Sequence, residues 1–206
     1  MPALKFEEAM KKIREAKPRN FVQTVELIIT LRNIDLRKPE NRFTKEIELP
    51  HGRGKEAKVC VMDKEHGFTK EKIEEIGKDK KEAKKLAKSY DFFLASAELM
   101  PTIGKALGRY LAPRGKMPTP VPPTMPKEEL QKLIEKKKRS VIARVKLQPQ
   151  VQVPVGTLDM SDEQIKENVE HVVREVIKAL PKGRAQLNRV YIKATMTPAY
   201  QIEVRV

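Results

Sequence analysis

Histidine and cysteine side chains are the first candidates for catalysis or metal binding, and this chain has few of them. The chain has one cysteine, Cys60, and three scattered histidines, His51, His66 and His171. A zinc site of the usual kind needs four such ligands at short spacings. Cys60 lies in an apolar run, which favours a small core residue over a reactive thiol. The sequence therefore predicts no catalytic residue, no metal and no cofactor.

Glycine-rich loops that bind phosphates are the second kind of candidate. The segment GRGKEA (52–57) matches a loose G-x-G-x-x-A pattern. A dinucleotide-binding loop, however, must open a helix whose N-terminus faces the phosphate, and here the strand-like run KVCVM (58–62) follows. Gly115-Lys116-Met117 lacks the first glycine and the hydroxyl residue of a Walker loop. A nucleotide-dependent enzyme is thus the weaker hypothesis.

Positive charge is the clearest sign of a partner. The 206 residues carry 43 Lys and Arg against 28 Asp and Glu, a net charge of +15. A protein this basic is expected to meet a polyanion, most often nucleic acid. Residues 58–147, with 22 basic and 12 acidic side chains, hold two thirds of the excess. A nucleic-acid binder that uses charge alone is therefore a second rival hypothesis, and it predicts equal affinity for any RNA of the same length.

Two segments carry more specific patterns. GKALGRYLAPRGKMPTP (104–120) sets four basic residues among glycines and prolines, so it either presents cations to phosphates or packs one element against another. RNFVQTVEL (19–27), if a strand, carries an aromatic, a hydroxyl and a carboxylate, which suit stacking and 2′-OH contacts to RNA. Taken alone, the second segment is better interpreted as an ordinary half-buried strand.

Hydrophobic periodicity and turn residues predict the elements that position these segments. We predict helices over 3–16, 69–88 (with a possible break at Gly77), 97–111 and 127–138, and a fifth that begins with the capping box of Ser161 and Gln164 and ends before Pro181. We predict strands over 21–31, 43–49, 58–62, 90–95, 140–147, 150–155, 189–195 and 199–206.

Alternation of strands and helices marks the middle of the chain and not its ends. Between residues 58 and 147 this alternation favours βαβ units and a parallel sheet. The ends give a different order, so we predict one domain from residues 1–57 and 148–206 with a second domain, 58–147, inserted into it. The two linkers would then lie side by side as a hinge.

Five segments together resemble the ribosomal protein L-one family, a protein of the lateral stalk of the large ribosomal subunit, in its archaeal type. They are RNFVQTVEL (19–27), LPHGRGK (49–55), GKALGRYLAPRGKMPTP (104–120), VPVGT (153–157) and VYIKATM (190–196). The resemblance implies the fold class α/β, with an α+β two-layer base domain and an inserted Rossmann-like α/β domain joined by a double-linker hinge.

The resemblance also implies a function. A family member is a structural, non-enzymatic constituent of the large subunit, and its base domain binds large-subunit rRNA at the lateral stalk. It assists movement and release of the exit-site tRNA, and it represses translation of its own mRNA. Such a protein is cytoplasmic, monomeric off the ribosome and without a membrane partner; no run of 18 apolar residues occurs in the chain.

Carried over position by position, the family's RNA contacts fall on three parts of this chain. They are Arg19, Phe21, Thr24 and Glu26 around the first strand; His51, Arg53 and Lys55 in the glycine-rich loop; and Lys193, Thr195, Met196 and Thr197 near the final hairpin. Thr197 departs from the family, whose motif is Thr-Met-Gly. If glycine is needed there for a positive φ or a close approach to RNA, Thr197 should lower the affinity.

Overall fold

The computed structural model describes residues 3–63 and 66–204. Its helices are α1 (Phe6–Arg14), α2 (Lys70–Lys78), α3 (Lys80–Ser89), α4 (Met100–Leu111), α5 (Lys127–Arg139) and α6 (Asp162–Ala179). Its strands are β1 (Thr24–Leu31), β2 (Phe43–Glu48), β3 (Val59–Met62), β4 (Phe92–Ser96), β5 (Thr119–Val121), β6 (Ser140–Val145), β7 (Gln150–Thr157), β8 (Leu187–Ala194) and β9 (Tyr200–Ile202). The predicted mixed α/β fold class is confirmed.

Two compact units make up the described chain. The first combines the residues up to Glu56 with those from Arg139 onward, and the second is Ala57–Lys138. The second unit thus lies, in sequence, between the two parts of the first.

An antiparallel sheet in the order β7-β1-β8-β9 organises the first unit. Side chains along β1 alternate strictly between buried and half-buried positions, as expected for a strand with one face on a core. Helices α1 and α6 bury their apolar stripes in the same core as this face of the sheet. The opposite face, which begins with Thr24 and Glu26, is the half-buried one.

A parallel sheet in the order β3-β4-β5 organises the second unit. The predicted helix over 69–88 is two helices, which meet at Asp79. This residue ends α2, and its carboxylate accepts the Lys81 N–H at 2.7 Å at the start of α3. Gly77 does not break the helix. It lets α4 approach, since a β-carbon there would lie 2.7 Å from the Ala106 β-carbon.

Strand β6 corrects the predicted boundary of the inserted segment. We assigned residues 140–147 to the region 58–147, but β6 pairs antiparallel with β2 and buries Val141, Ala143 and Val145 in the core of the first unit. An apolar run has the same local pattern whichever sheet it joins, so periodicity could not place it. The predicted strand 199–206 is β9, three residues long, and its last two predicted positions lie outside the described residues.

Candidate nucleic-acid interface

Three distant segments meet at one end of the four-stranded sheet. Thr24, the first residue of β1, pairs with Thr157 at the end of β7. On its other side the Thr24 N–H donates to Thr195 Oγ1 at 3.2 Å, and the Thr195 N–H donates to the Thr24 carbonyl at 3.1 Å. Gly54 lies so close to Thr157 that a β-carbon on it would be 2.8 Å from Thr157 Cγ2. The glycine-rich loop, β1 and the turn after β8 therefore form one continuous surface.

Apolar side chains are exposed at this end of the sheet. Phe21, Val22 and Met196 are 53%, 55% and 54% exposed, and they are three of the five exposed large apolar residues among those described. Buried Gln23 ties them together, because its Oε1 accepts the Met196 N–H at 3.0 Å and its carbonyl accepts the Leu158 N–H at 3.0 Å. Clustered apolar exposure of this kind makes this end of the sheet a candidate binding surface.

Glu26 and Lys193 lie next to this surface on the half-buried face. They are cross-strand partners of β1 and β8, with Oε2 and Nζ 3.9 Å apart. Their side chains are 41% and 26% exposed, respectively. A carboxylate and an ammonium group are thus available beside the hydroxyls of Thr24 and Thr195.

The turn after β8 accommodates Thr197 without strain. Among the described residues that are not glycine, Asn33 alone has a positive φ, so Thr197 does not use the conformation that favours glycine. Its side chain is 8% exposed, and its Oγ1 accepts the Ala194 N–H at 2.8 Å. The turn therefore tolerates threonine, and the hydroxyl serves the turn itself.

The glycine-rich loop is held by a residue that the sequence analysis missed. Asn168 of α6 is fully buried; its Nδ2 donates to the carbonyls of Gly52 and Val155, both at 2.8 Å, and its Oδ1 accepts the His51 N–H at 3.1 Å. The His51 ring also contacts Glu167, with Nε2 and Oε2 2.6 Å apart. An asparagine within the apolar stripe of α6 was the signal that could have revealed this role.

The remaining predicted contacts are basic side chains around the same surface. Arg19 and Lys55 are exposed. Arg53 is half-buried and its Nε donates to the Lys55 carbonyl at 2.8 Å. The positive φ values of Gly52 and Gly54, 65° and 76°, give the loop its shape. All eleven predicted contact residues therefore lie in segments that converge at this end of the sheet.

The basic segment 104–120 contributes structure to the second unit. Arg109 Nη2 donates to the Gly77 carbonyl at 3.1 Å, and Lys116 Nζ donates to the carbonyls of Ala87 at 3.2 Å and Tyr90 at 2.6 Å. Cations at the last carbonyls of α2 and α3 satisfy groups that have no partner within the helix. Arg109 and Lys116 therefore join one element to another, which is the second of the two interpretations given for this segment.

Cys60 is buried in the hydrophobic core of the second unit. Burial raises the pKa of the Cys60 thiol to about 11, which keeps it protonated at neutral pH. Within residues 3–63 and 66–204, no cluster of three or more His, Cys, Asp and Glu side chains could hold a metal ion. No described helix is both long and apolar enough to cross a membrane.

Comparison with known proteins shows what the whole chain is similar to. The model of the ribosomal protein L1p/L10e family matches residues 11–198. A protein called large ribosomal subunit protein uL1 from Thermococcus kodakarensis is 49% identical over 211 residues, which cover 97% of each chain. Proteins of the same name from Methanocaldococcus jannaschii and Methanothermobacter thermautotrophicus are 47% and 44% identical, over 95% of this chain and 94% and 97% of theirs.

These similarities extend over nearly the whole chain, and they confirm the family predicted from its motifs, in its archaeal type. They also remove the hypothesis of a nucleotide-dependent enzyme. The chain therefore belongs to the ribosomal protein L1p/L10e family and is a structural, non-enzymatic protein of the large ribosomal subunit.

Proposed function

We propose that the first unit binds large-subunit rRNA at the lateral stalk through the end of its four-stranded sheet. The observation that carries this proposal is the pairing of Thr24 with Thr195, which brings exposed Phe21 and Met196 to one surface. Specific RNA sites combine stacking surfaces, groups that bond the 2′-hydroxyl and cations that bind phosphates.

Each kind of group has a defined task in this proposal. Phe21 stacks on an exposed base, and Met196 adds apolar contact beside it. The hydroxyls of Thr24 and Thr195 and the carboxylate of Glu26 bond ribose and base edges. The phosphates are bound by Arg19, Arg53, Lys55 and Lys193, while His51 and Thr197 hold the loop and the turn in place.

The proposal includes two further partners, the protein's own mRNA and the exit-site tRNA. An mRNA segment that imitates the shape of the rRNA site would occupy it in competition with rRNA, so free protein would repress its own mRNA. We also propose that the protein, placed at the stalk of the cytoplasmic ribosome, assists movement and release of exit-site tRNA. Off the ribosome it acts as a monomer. A hinge formed by the linkers between the two units would let it follow the tRNA.

The decisive experiment compares RNAs of equal length and charge. The full chain is titrated with a stalk rRNA fragment and with an unrelated duplex RNA at several salt concentrations. We expect tighter binding to the stalk fragment at every salt concentration, since a non-specific binder responds to phosphates alone. Equal affinities for the two RNAs would support the charge-only hypothesis and remove the proposed one.

The mRNA and tRNA proposals have separate measurements. A fragment of the protein's own mRNA should compete with the stalk fragment in the same titration, because both would occupy one surface. Ribosomes assembled with and without the protein should differ in the rate at which deacylated tRNA leaves the exit site. Independent binding of the two RNAs, or identical release rates, would remove the corresponding proposal and leave rRNA binding in place.

A further inference from the structure

Beyond Glu26 and Lys193, the half-buried face of the sheet continues with an aromatic centre. Tyr191 of β8 lies opposite Ile28 of β1 on one side and Gln201 of β9 on the other. Ile28 in turn lies opposite Gln152 of β7. Neither Tyr191 nor Ile28 belongs to the hydrophobic core or to the side chains packed against it. One row of side chains therefore crosses all four strands. Its centre is an aliphatic and an aromatic side chain, Ile28 and Tyr191, and an amide side chain lies at each end.

Cations flank this aromatic along its own strand. Arg189 and Lys193 are two residues before and two residues after Tyr191, so all three lie on the same face of β8 at intervals of about 7 Å. Arg189 is exposed, while its backbone N–H and carbonyl both bond the Thr30 hydroxyl, at 3.1 and 3.0 Å. The strand thus presents a cation, an aromatic ring and a second cation in a line.

The charge of this face suits a polyanion. Among the residues of β7, β1, β8 and β9, Glu26 is the one carboxylate, and it already faces Lys193. Apart from Arg189 and the Glu26–Lys193 pair, the polar residues of the face are neutral amides and hydroxyls: Thr24, Thr30, Gln150, Gln152 and Gln201. A protein partner would instead require a wider apolar centre than one tyrosine and one isoleucine supply.

We propose that Tyr191 is a stacking site for an unpaired nucleotide, with Arg189 and Lys193 binding the phosphates on either side of it. Gln152 and Gln201 belong to the same cross-strand row as Tyr191, and in this proposal their amides bond the edge of the stacked base. This inference rests on the proposed function, because it extends the same RNA interface from the end of the sheet across its face. An aromatic at the centre of an open four-stranded sheet is a geometry that serves single-stranded RNA.

A pair of RNAs isolates this site from the rest of the interface. The first is a stalk rRNA fragment with its unpaired nucleotides, and the second is the same fragment with those nucleotides made abasic, so that the phosphates remain. We expect Tyr191→Ala to lower affinity for the first RNA about tenfold, as for loss of one stacked base, and to leave affinity for the second unchanged. Tyr191→Phe should bind both RNAs like the wild type.

The opposite results are equally informative. If Tyr191→Ala binds both RNAs like the wild type, or weakens both equally, the stacking site is wrong although the interface proposal stands. If the unsubstituted chain does not prefer the stalk fragment to unrelated duplex RNA, the interface proposal fails and this inference falls with it. Ultraviolet crosslinking of the unsubstituted chain, read by mass spectrometry, should join Tyr191 to an unpaired nucleotide; crosslinks confined to Phe21 would overturn the inference without any variant.

Discussion

Glu26 Oε2 lies 3.9 Å from Lys193 Nζ across the central strand pair of the sheet. With the two side chains 41% and 26% exposed, such a pair contributes at most about 1 kcal/mol to folding. Opening it therefore costs little, so in the proposed interface both groups exchange this contact for contacts with RNA.

Replacement of Lys193 by glutamine should affect RNA binding more than stability. We expect the slope of log affinity against log salt to fall by about one unit, since one phosphate contact is lost. The free energy of unfolding should change by less than about 1 kcal/mol. Titrations at four or more salt concentrations measure the slope, and an unchanged slope would remove Lys193 from the phosphate contacts.

Replacement of Phe21 or Thr195 by alanine should weaken binding to the stalk fragment by about 1–3 kcal/mol each, as for single specific contacts. Leu147→Ala is the matched control, because Leu147 is 88% exposed and lies before β7, whereas the interface is at the far end of that strand. Calorimetric titration measures all three variants. Equal affinities for the two interface variants and the control would contradict the site.

Loss of Asn168 should destabilise the first unit. Asn168→Ala leaves the His51 N–H and the carbonyls of Gly52 and Val155 without their partner, and a buried polar group without a partner costs about 1–3 kcal/mol. Asn188→Ala, at an exposed position of β8, is the control. Urea denaturation should separate the two variants; equal midpoints would show that the amide does not hold the loop.

Changes at Thr197 should separate stability from RNA affinity. Thr197→Val removes the hydroxyl that bonds Ala194 and should cost about 1 kcal/mol of folding free energy. Thr197→Gly restores the family residue, yet we expect RNA affinity within about twofold of the wild type, because the turn uses no positive φ there. A large gain in affinity for the glycine variant would mean that the threonine side chain obstructs RNA.

Acid should weaken the first unit through Glu175. Hydrogen bonds from Lys178 and then Lys45, both at 2.8 Å, hold the pKa of this carboxyl down at about 2. Because the folded-state pKa lies below the ordinary value of 4.5, the contribution is complete above pH 4.5 and is lost as the pH falls towards 2. Glu175→Gln should be less stable at neutral pH and show a flatter pH dependence between those limits.

The control for that prediction is Glu163→Gln, which makes the same charge change in the first turn of α6. Urea midpoints measured from pH 2 to pH 7 compare the two variants with the wild type. If Glu175→Gln retains the full acid dependence of the wild type, another group is responsible for it.

Local signals in the sequence predicted some elements well and could not predict others. The capping box of Ser161 and Gln164 and the apolar stripe behind it located α6, because a helix is determined by residues three and four positions apart. Strand β6 was assigned to the wrong unit, because the choice of partner strand depends on residues nearly 100 positions away. The possible break in the helix 69–88 was predicted at Gly77 and lies at Asp79, since a residue that ends one helix and caps the next looks like any polar residue in a charged run.

In the candidate site, too, local motifs were predicted and contacts between distant segments were not. Its residue types were predicted from motifs, and the predicted segments meet at one end of the sheet. The supporting role of Asn168 was not predicted, because it depends on a loop and a strand that only the folded chain brings to α6. Tyr191 likewise appeared as one more strand residue until the sheet order placed it at the centre of an open face.

The sheet order also determines when, during synthesis, the four-stranded sheet can be completed. Strand β1 lies between β7 and β8, both of which follow the second unit in the chain, and Thr24 bonds a residue 171 positions later. Contacts so distant in sequence form late. A nascent chain that has emerged only as far as α5 has no partner for either edge of β1 and no complete surface for RNA. We therefore expect fragments from interrupted synthesis to lack the proposed RNA surface and to bind the stalk rRNA fragment more weakly than the finished protein.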